Sequence, residues 1–192
     1  VYEKEVSIRM ILVANNNLVE FLNAATDPFT GNNNANVLIN ESQTVIDANI
    51  GAANYDIGHT FSTGGGGLAQ LNSPCGPSKA RGITGSPFPT GDAYDIDYVA
   101  HEMGHNLGTH HTHDDSRYNP LIDNCGNGTP SIGTIMSYCH LVQSIHLDFS
   151  TREQTVIRAA AEAAVRADGA RPGAPPRCRR NHRGRRRSRA RP

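Results

Sequence analysis

The feature that most constrains this sequence is the eleven-residue motif H-E-x-x-H-x-x-G-x-x-H, which begins at His101. Two histidines four residues apart on a helix lie on one face, about one turn from each other. His101 and His105 can therefore each give one imidazole nitrogen to the same metal ion. Gly108 can adopt a positive φ, which allows the helix to end there and the chain to bring His111 back as a third ligand. Three such ligands, with a fourth position left for water, are typical of a catalytic zinc site.

Glu102 is the candidate catalytic residue of the motif. It lies beside the first histidine, too close to join the same metal site comfortably, and is better placed to take a proton from a metal-bound water. A bare H-E-x-x-H also occurs by chance in helices that bind no metal. The added glycine and third histidine argue against chance, and we expect one catalytic Zn²⁺ held by His101, His105 and His111.

A second motif, T-I-M-S-Y at residues 134–138, places Met136 25 residues after His111. It is similar to the Met-turn that underlies the zinc ion in metzincin peptidases, and the long histidine motif followed by a Met-turn is the signature of that clan. An ordinary core methionine is the alternative for Met136. The two are compatible, because the resemblance implies that Met136 packs beneath the site and is not a ligand.

Within the metzincins, the chain most resembles the bacterial reprolysin-like (adamalysin-related) peptidases. The resemblance implies an α+β fold of the α/β/α type: a twisted, mixed five-stranded sheet with one antiparallel edge strand, a backing helix and an active-site helix. A small C-terminal subdomain would hold the Met-turn and a last helix. An extended peptide substrate would lie along the edge strand, beside Gly67, Leu68 and Ala69. The likeness spans residues 6–164 and is carried by 55–67, 79–85, 95–111 and 134–138.

Two positions depart from parts of this pattern. Animal reprolysins have an aspartate after the third histidine, where this chain has Thr112. Tyr138, two residues after the methionine, resembles the tyrosine of serralysins and astacins that can ligate zinc and swing away. Tyr138 could therefore be a fifth ligand, a transition-state hydrogen-bond donor, or a tyrosine packed under the helix.

The apolar pattern predicts four elements before the motif. The run Val6–Ala14 favours a buried central strand, and residues 37–53 favour a helix that ends near Gly51. Residues 55–62 alternate as a strand does, with His59 packed or hydrogen-bonded rather than a ligand. Residues 67–71 favour a short strand whose free edge could bind an extended peptide.

The remaining segments are a connector and two helices. Residues 81–92 are predicted to be a glycine- and proline-rich connector. Asp92 or Asp95 would cap the active-site helix. Ser150 or Thr151, with Glu153, would form the capping box of a helix over 149–167. The buried stripe of the active-site helix would consist of Ile96, Val99, Met103 and Leu107.

Charge is divided unevenly along the chain. Residues 1–168 hold all 18 acidic residues and only eight basic ones, which gives this part a net charge of −10. We predict one catalytic domain over 1–168, with an upper part (1–108) and a lower part (109–168), and a disordered tail over 169–192. Ten arginines lie in this tail. It could bind nucleic acid, but no aromatic residue interleaves the arginines, so no such partner is expected; the tail also resembles the product of a shifted reading frame.

The cysteines bear on the question of whether the protein is extracellular. None of the four forms a C-x-x-C pair, so a structural zinc ribbon is not expected. Cys125 and Cys139 are predicted to form a disulfide rather than two buried thiols, in keeping with the secreted setting that the resemblance implies. Cys75 then has only Cys178 as a partner. We expect an extracellular monomer without a membrane segment. The start at Val1, without an initiator methionine, is interpreted as that of an excised or processed fragment, which any signal peptide and propeptide would precede.

The loop after His111 is rich in oxygen ligands. It could hold Ca²⁺, but no EF-hand spacing is present, and a solvated loop is the favoured alternative. The loop carries His113, Asp114, Asp115, Asp123 and Asn124.

The motifs together predict a zinc-dependent metalloendopeptidase acting on proteins, in which Glu102 takes the proton from a zinc-bound water and returns it to the leaving amine. One alternative is a zinc-binding adhesion or recognition module that does not cleave. The intact Glu102 argues against that alternative, because a non-catalytic module has no need of the carboxylate. A nucleic-acid binder acting through the arginine tail is a third hypothesis.

Overall fold

The structure is a computed structural model that describes residues 1–123, 125, 133–142 and 144–169, with side chains up to residue 166. It is a mixed α+β fold, as predicted. Short non-α helical segments lie at Asn16–Val19, Ala93–Tyr98 (a π-helix) and Cys139–Leu141. The main elements in chain order are α1 (Tyr2–Val6), α2 (Ala35–Asn49), β1 (Thr60–Ser62), β2 (Gly66–Ala69), β3 (Gly82–Gly85), α3 (Val99–Asn106) and α4 (Thr151–Gly169).

The sheet has the order β1-β3-β2. The central strand β3 pairs parallel with β1 and antiparallel with β2, so β2 is the antiparallel edge strand that we expected. Leu68 of β2 and Ile83 of β3 are register partners and pack against Leu38 of α2. Successive strand residues point to opposite faces, so the neighbours Gly67 and Gly82 face the other way, towards α3. The sheet therefore lies between the backing helix α2 and the active-site helix α3.

Helices α2 and α4 form in the predicted segments, and side chains cap the start of each. The Asn34 side chain accepts hydrogen bonds from the backbone of Asn36 and Val37 at the start of α2, which ends just before Gly51 with φ of 82°. At α4, Glu153 Oε2 accepts from Ser150 N (2.6 Å), and Glu153 N donates to Ser150 Oγ (3.3 Å). This reciprocal pair is the predicted capping box.

The predicted central strand at Val6–Ala14 is wrong. Val6 ends α1 and is buried with Tyr2 in the core, and Ser7 then turns the chain with φ of 58°. The following residues form no strand, and Ile11 and Leu12 are 69% and 75% exposed beside a cavity of about 930 Å³. A short apolar run does not distinguish a strand from a helix. This run does not join the sheet, and the described residues contain three strands, whereas five were expected.

The predicted connector at 81–92 is also wrong over its first residues. Gly82–Gly85 is the central strand β3, and all four of its residues are buried. Its glycines suggested a loop, but they suit a strand that is approached closely from both sides. The strand predicted at 55–62 is confirmed only for Thr60–Ser62. His59 is packed as predicted, with Nε2 2.7 Å from Thr84 Oγ1, and burial lowers its pKa to about 4.

Within the described part of the chain, none of the helices combines the length and apolar character needed to span a membrane.

Candidate metal centre

The helix that carries the histidine motif begins differently from our prediction. The π-helical segment Ala93–Tyr98 runs directly into α3. Asp92 precedes this segment without a side-chain capping hydrogen bond, and Asp95 lies inside the segment. The carbonyl of Gly91 instead accepts from the backbone amides of Tyr94 and Asp95 (both 2.9 Å). The end of the helix is as expected, because α3 stops before Leu107 and Gly108 turns the chain with φ of 89°.

The three histidines of the motif come together beyond that turn. Their ring centroids are 4.8 Å apart for His101 and His105, 5.2 Å for His101 and His111, and 4.7 Å for His105 and His111. His105 Nε2 lies 3.1 Å from His111 Nε2. Two nitrogens bound to one tetrahedral zinc at 2.0–2.1 Å would be about 3.3 Å apart. The cluster therefore has the dimensions of a metal site, and it could hold a metal ion.

Hydrogen bonds fix which nitrogen of two rings is available. His101 Nδ1 lies 2.7 Å from the carbonyl oxygen of Ile135, and His105 Nδ1 lies 2.8 Å from that of Thr109. A carbonyl can only accept, so each Nδ1 carries the proton and donates. The lone pair of each neutral ring is consequently on Nε2, which is the arrangement that a metal ligand requires.

The environment keeps the rings neutral. Burial, followed by the charge of neighbouring histidines, lowers the pKa of His101 to about 3 and that of His111 to about 4. Burial also lowers the pKa of His105. Neutral imidazole is the form that binds metal. At neutral pH the cluster therefore presents unprotonated donors without first having to release protons.

Glu102 is buried on α3 and stays outside the histidine cluster. Burial raises the pKa of its carboxyl group to about 8, because the charged form loses hydration in this position. The carboxyl group packs against Gly67 on the edge strand β2, in the space that a side chain there would occupy. The motif thus provides three neutral nitrogen donors and, outside their cluster, one carboxyl group with a raised pKa.

The segment at 134–138 forms a turn beneath these residues. Ser137 N donates to Thr134 O (3.0 Å), and Met136 is fully buried in the main hydrophobic core. Its Sδ would lie 2.6 Å from a Cβ at Gly104, so Met136 packs directly against α3. Thr112 N donates to Met136 O (3.2 Å), which joins the turn to the residue that follows His111.

A sequence profile described as Metallo-peptidase family M12B Reprolysin-like matches residues 1–112, more than half of the chain, including the complete histidine motif. The chain belongs to this family. Searches of curated proteins and of solved structures found no match. The family assignment supports a metallopeptidase in general terms, and the turn at Met136 lies beyond the matched residues.

On the side of the edge strand β2 that faces α3, this reprolysin-like protein has the backbone of Gly67 and not the side chain of Leu68. Leu68 points away from α3 into the cluster with Ile83, and Gly67 has no side chain. One edge of β2 pairs with β3, and its other edge has no strand partner among the described residues. The strand that holds Gly67, Leu68 and Ala69 therefore has one free edge among the described residues, with Gly67 next to Glu102; substrate binding at these three residues stays a prediction.

Aromatic side chains lie next to the histidine cluster. The ring of Tyr138 lies 4.4 Å from that of His111 and stacks at 6.2 Å on His101, with 37% of the residue exposed. Burial, and then the charge of Glu102, raises the pKa of Tyr138. His113, outside the predicted ligand set, stacks on His111 at 5.5 Å and lies 5.0 Å from Tyr138. Its position two residues after His111 is the only sequence signal for this placement.

The loop that follows the third histidine is tied down by a disulfide. The predicted bond between Cys125 and Cys139 is confirmed, and Asp123 Oδ1 accepts from Cys125 N (3.2 Å). Asp114 accepts from Ser116 (2.6 Å from its Oγ) rather than converging with other carboxylates. The calcium prediction stays untested because Asn124 and residues 126–132 lie outside the described residues, as do Cys178 and the tail.

Proposed function

We propose that this protein is a zinc-dependent metalloendopeptidase that hydrolyses peptide bonds within extended protein segments. His101, His105 and His111 would hold the zinc ion, and Glu102 would act as the general base. The observation that carries the proposal is the convergence of three neutral imidazoles beside a buried carboxylate on one helix, in a chain that belongs to a metallopeptidase family.

Each side chain has a distinct task in this proposal. Zinc, when bound, supplies a Lewis acid that polarises the substrate carbonyl and lowers the pKa of a coordinated water towards ~7. Glu102 accepts the proton of the attacking water and then passes it to the leaving amine. Burial raises the pKa of the Glu102 carboxyl group to about 8, so its ionised form holds an accepted proton more firmly than an exposed glutamate does. No covalent intermediate with the chain is needed, and the products are two peptides.

The free edge of β2 supports an extended substrate. A peptide in this conformation can form backbone hydrogen bonds with an unpaired strand edge. Gly67, Leu68 and Ala69 would take this role beside Glu102. Tyr138 would donate a hydrogen bond to the developing negative charge, or bind the zinc as a fifth ligand, since its ring lies next to that of His111. We also propose an extracellular location, because a disulfide such as Cys125–Cys139 is typical of oxidising compartments.

Cleavage of casein by the purified protein tests the proposal. Zinc content is measured in parallel, before and after treatment with a chelator, and again after zinc is added back. We expect about one zinc per chain, cleavage that the chelator abolishes, and recovery with zinc. Stoichiometric zinc without cleavage would instead support the non-catalytic zinc-binding module, and cleavage that survives complete removal of the metal would overturn the proposal.

A further inference from the structure

Gly67 on the edge strand lies directly against Glu102 on the active-site helix. A Cβ atom built on Gly67 would lie 2.5 Å from Glu102 Cγ, and closer still to its carboxyl carbon and to Oε1. Carbon atoms that are not bonded to each other do not approach this closely without displacement. The carboxyl group of Glu102 therefore occupies the space that any side chain at position 67 would need.

A second pair one turn along the helix shows why the approach is so close. Asn106 lies four residues after Glu102, and a Cβ on Gly82 would lie 2.5 Å from its Oδ1. Asn106 Nδ2 donates to the carbonyl oxygens of Gln70 (3.1 Å) and Arg81 (3.0 Å). These bonds hold the end of α3 against the sheet. The helix thus rests on two glycines of neighbouring strands, one opposite Asn106 and one opposite Glu102.

We propose that Gly67 is a positioning residue for Glu102. The absence of a side chain at 67 sets where the carboxylate lies relative to the three histidines, and a larger residue there displaces the carboxylate without removing a metal ligand. This inference rests on the proposed role of Glu102 as general base. Since Gly67 also belongs to the edge that would bind the substrate, one residue aligns the base with the peptide backbone.

Gly67→Ala tests the proposal, with Gly65→Ala as the matched control. A Cβ on Gly65 meets no atom within 4 Å, so this control adds the same methyl group to the same glycine run without a contact. In Gly67→Ala we expect kcat to fall on the order of 10²-fold, with KM within about threefold of wild type and zinc content unchanged, since misplacement of a base costs turnover. Gly65→Ala should keep wild-type kcat. Equal kcat in the two variants would overturn the proposal.

A stability cycle tests the same contact without using activity. Gly67→Ala should lower the unfolding midpoint by about 4 °C in the wild-type background, and much less in Glu102→Ala, where the carboxyl group is gone. An equal decrease of the unfolding midpoint in both backgrounds would mean that a glycine at position 67 is needed by the strand and not by Glu102, which contradicts the proposal. If Gly67→Ala does not fold, the double variant should still do so, and its failure would also contradict the proposal. This cycle remains informative if the wild-type protein does not cleave casein, so failure of the proposed function is recognised separately.

Discussion

The active-site helix α3 is held differently on its two sides. On the sheet side, Glu102 and Asn106 pack into space left by glycines of β2 and β3. On the other side, His101 bonds to the backbone of Ile135, and Met136 fills the core beneath the helix. The candidate base Glu102 is therefore placed by steric fit, whereas two of the three candidate ligands, His101 and His105, are placed by hydrogen bonds from their Nδ1 atoms. We infer that substitutions on the side of α3 that faces the sheet should reduce turnover. Substitutions on the opposite side, which faces the turn at residues 134–138, should reduce metal affinity and stability.

The largest effect is expected from the third histidine, because it closes the ligand set. Residues 110 and 111 are both histidines, and only His111 joins the cluster, whereas His110 Nδ1 lies 3.4 Å from Asp114 Oδ2. His111→Ala should lose zinc and with it casein cleavage, while His110→Ala should retain both. Zinc content by elemental analysis, measured beside activity, checks this. Loss of zinc in His110→Ala, with zinc retained in His111→Ala, would mean that the ligand set is wrong.

The next effect concerns the core beneath the turn. Met136 is fully buried, so Met136→Ala should reduce the free energy of unfolding by about 2–5 kcal/mol through loss of packing and creation of a cavity. It should also weaken zinc binding, because the turn carries the acceptor for His101. Leu141→Ala, at a residue that is 71% exposed, is the control and should change stability by about 0.5 kcal/mol or less. Denaturant unfolding and zinc titration measure both effects, and a stability loss in Met136→Ala no larger than in the control would contradict this packing.

Glu153 is expected to make the free energy of unfolding depend on pH, and it contacts the turn at residues 134–138. It accepts from Thr134 Oγ1 (3.0 Å), and burial raises its pKa from 4.5 to about 7. A carboxyl group with a raised pKa binds more protons in the folded state, so its contribution is fully present below the unfolded value and is lost as pH rises through about 7. Glu153→Gln should remove up to about 3 kcal/mol of this pH dependence.

Unfolding measured between pH 5 and 8 checks this dependence. Glu162→Gln, at a glutamate further along α4, is the control for removing one carboxylate from that helix. The pH dependence should persist in the control and become flatter in Glu153→Gln. An unchanged slope in Glu153→Gln would show that its pKa is not raised.

The smallest effect is expected at Thr112. Its hydroxyl is buried and has no hydrogen-bond partner in the described part of the chain. Thr112→Val keeps the shape of the side chain and removes the unpaired hydroxyl, so the free energy of unfolding should stay the same or rise by less than about 1 kcal/mol. Zinc content should stay the same, because the backbone amide that bonds to Met136 is retained. A loss of more than 2 kcal/mol by denaturant unfolding would mean that the hydroxyl has a partner.

Features fixed by short sequence spacing were predictable. The histidine motif, the turn at Gly108, the capping box at Ser150 and Glu153, and the Cys125–Cys139 disulfide each depend on a few residues whose geometry is set locally. The edge strand β2 was predictable for the same reason, since its glycine run ends in a short apolar segment. These features supply most of the candidate site.

Features set by distant packing were not predictable. Nothing in the run Val6–Ala14 shows that its first residue packs with Tyr2 and that the rest leaves the sheet. The central strand Gly82–Gly85 resembles a loop in composition. Its glycines leave space for neighbouring groups, from α3 at Gly82 and from Gly64 at Gly85. The contact of Gly67 with Glu102 joins residues 35 positions apart. Such contacts become visible only when the sheet and helix are assembled.

The measurement that tests the central claim most directly is zinc content together with casein cleavage in Glu102→Gln. If the base and the ligands are separate groups with separate supports, this variant should bind about one zinc per chain while cleavage falls by at least ~10²-fold. Loss of zinc in Glu102→Gln would show that the carboxylate belongs to the metal site. Cleavage retained at the wild-type rate would show that Glu102 is not the base.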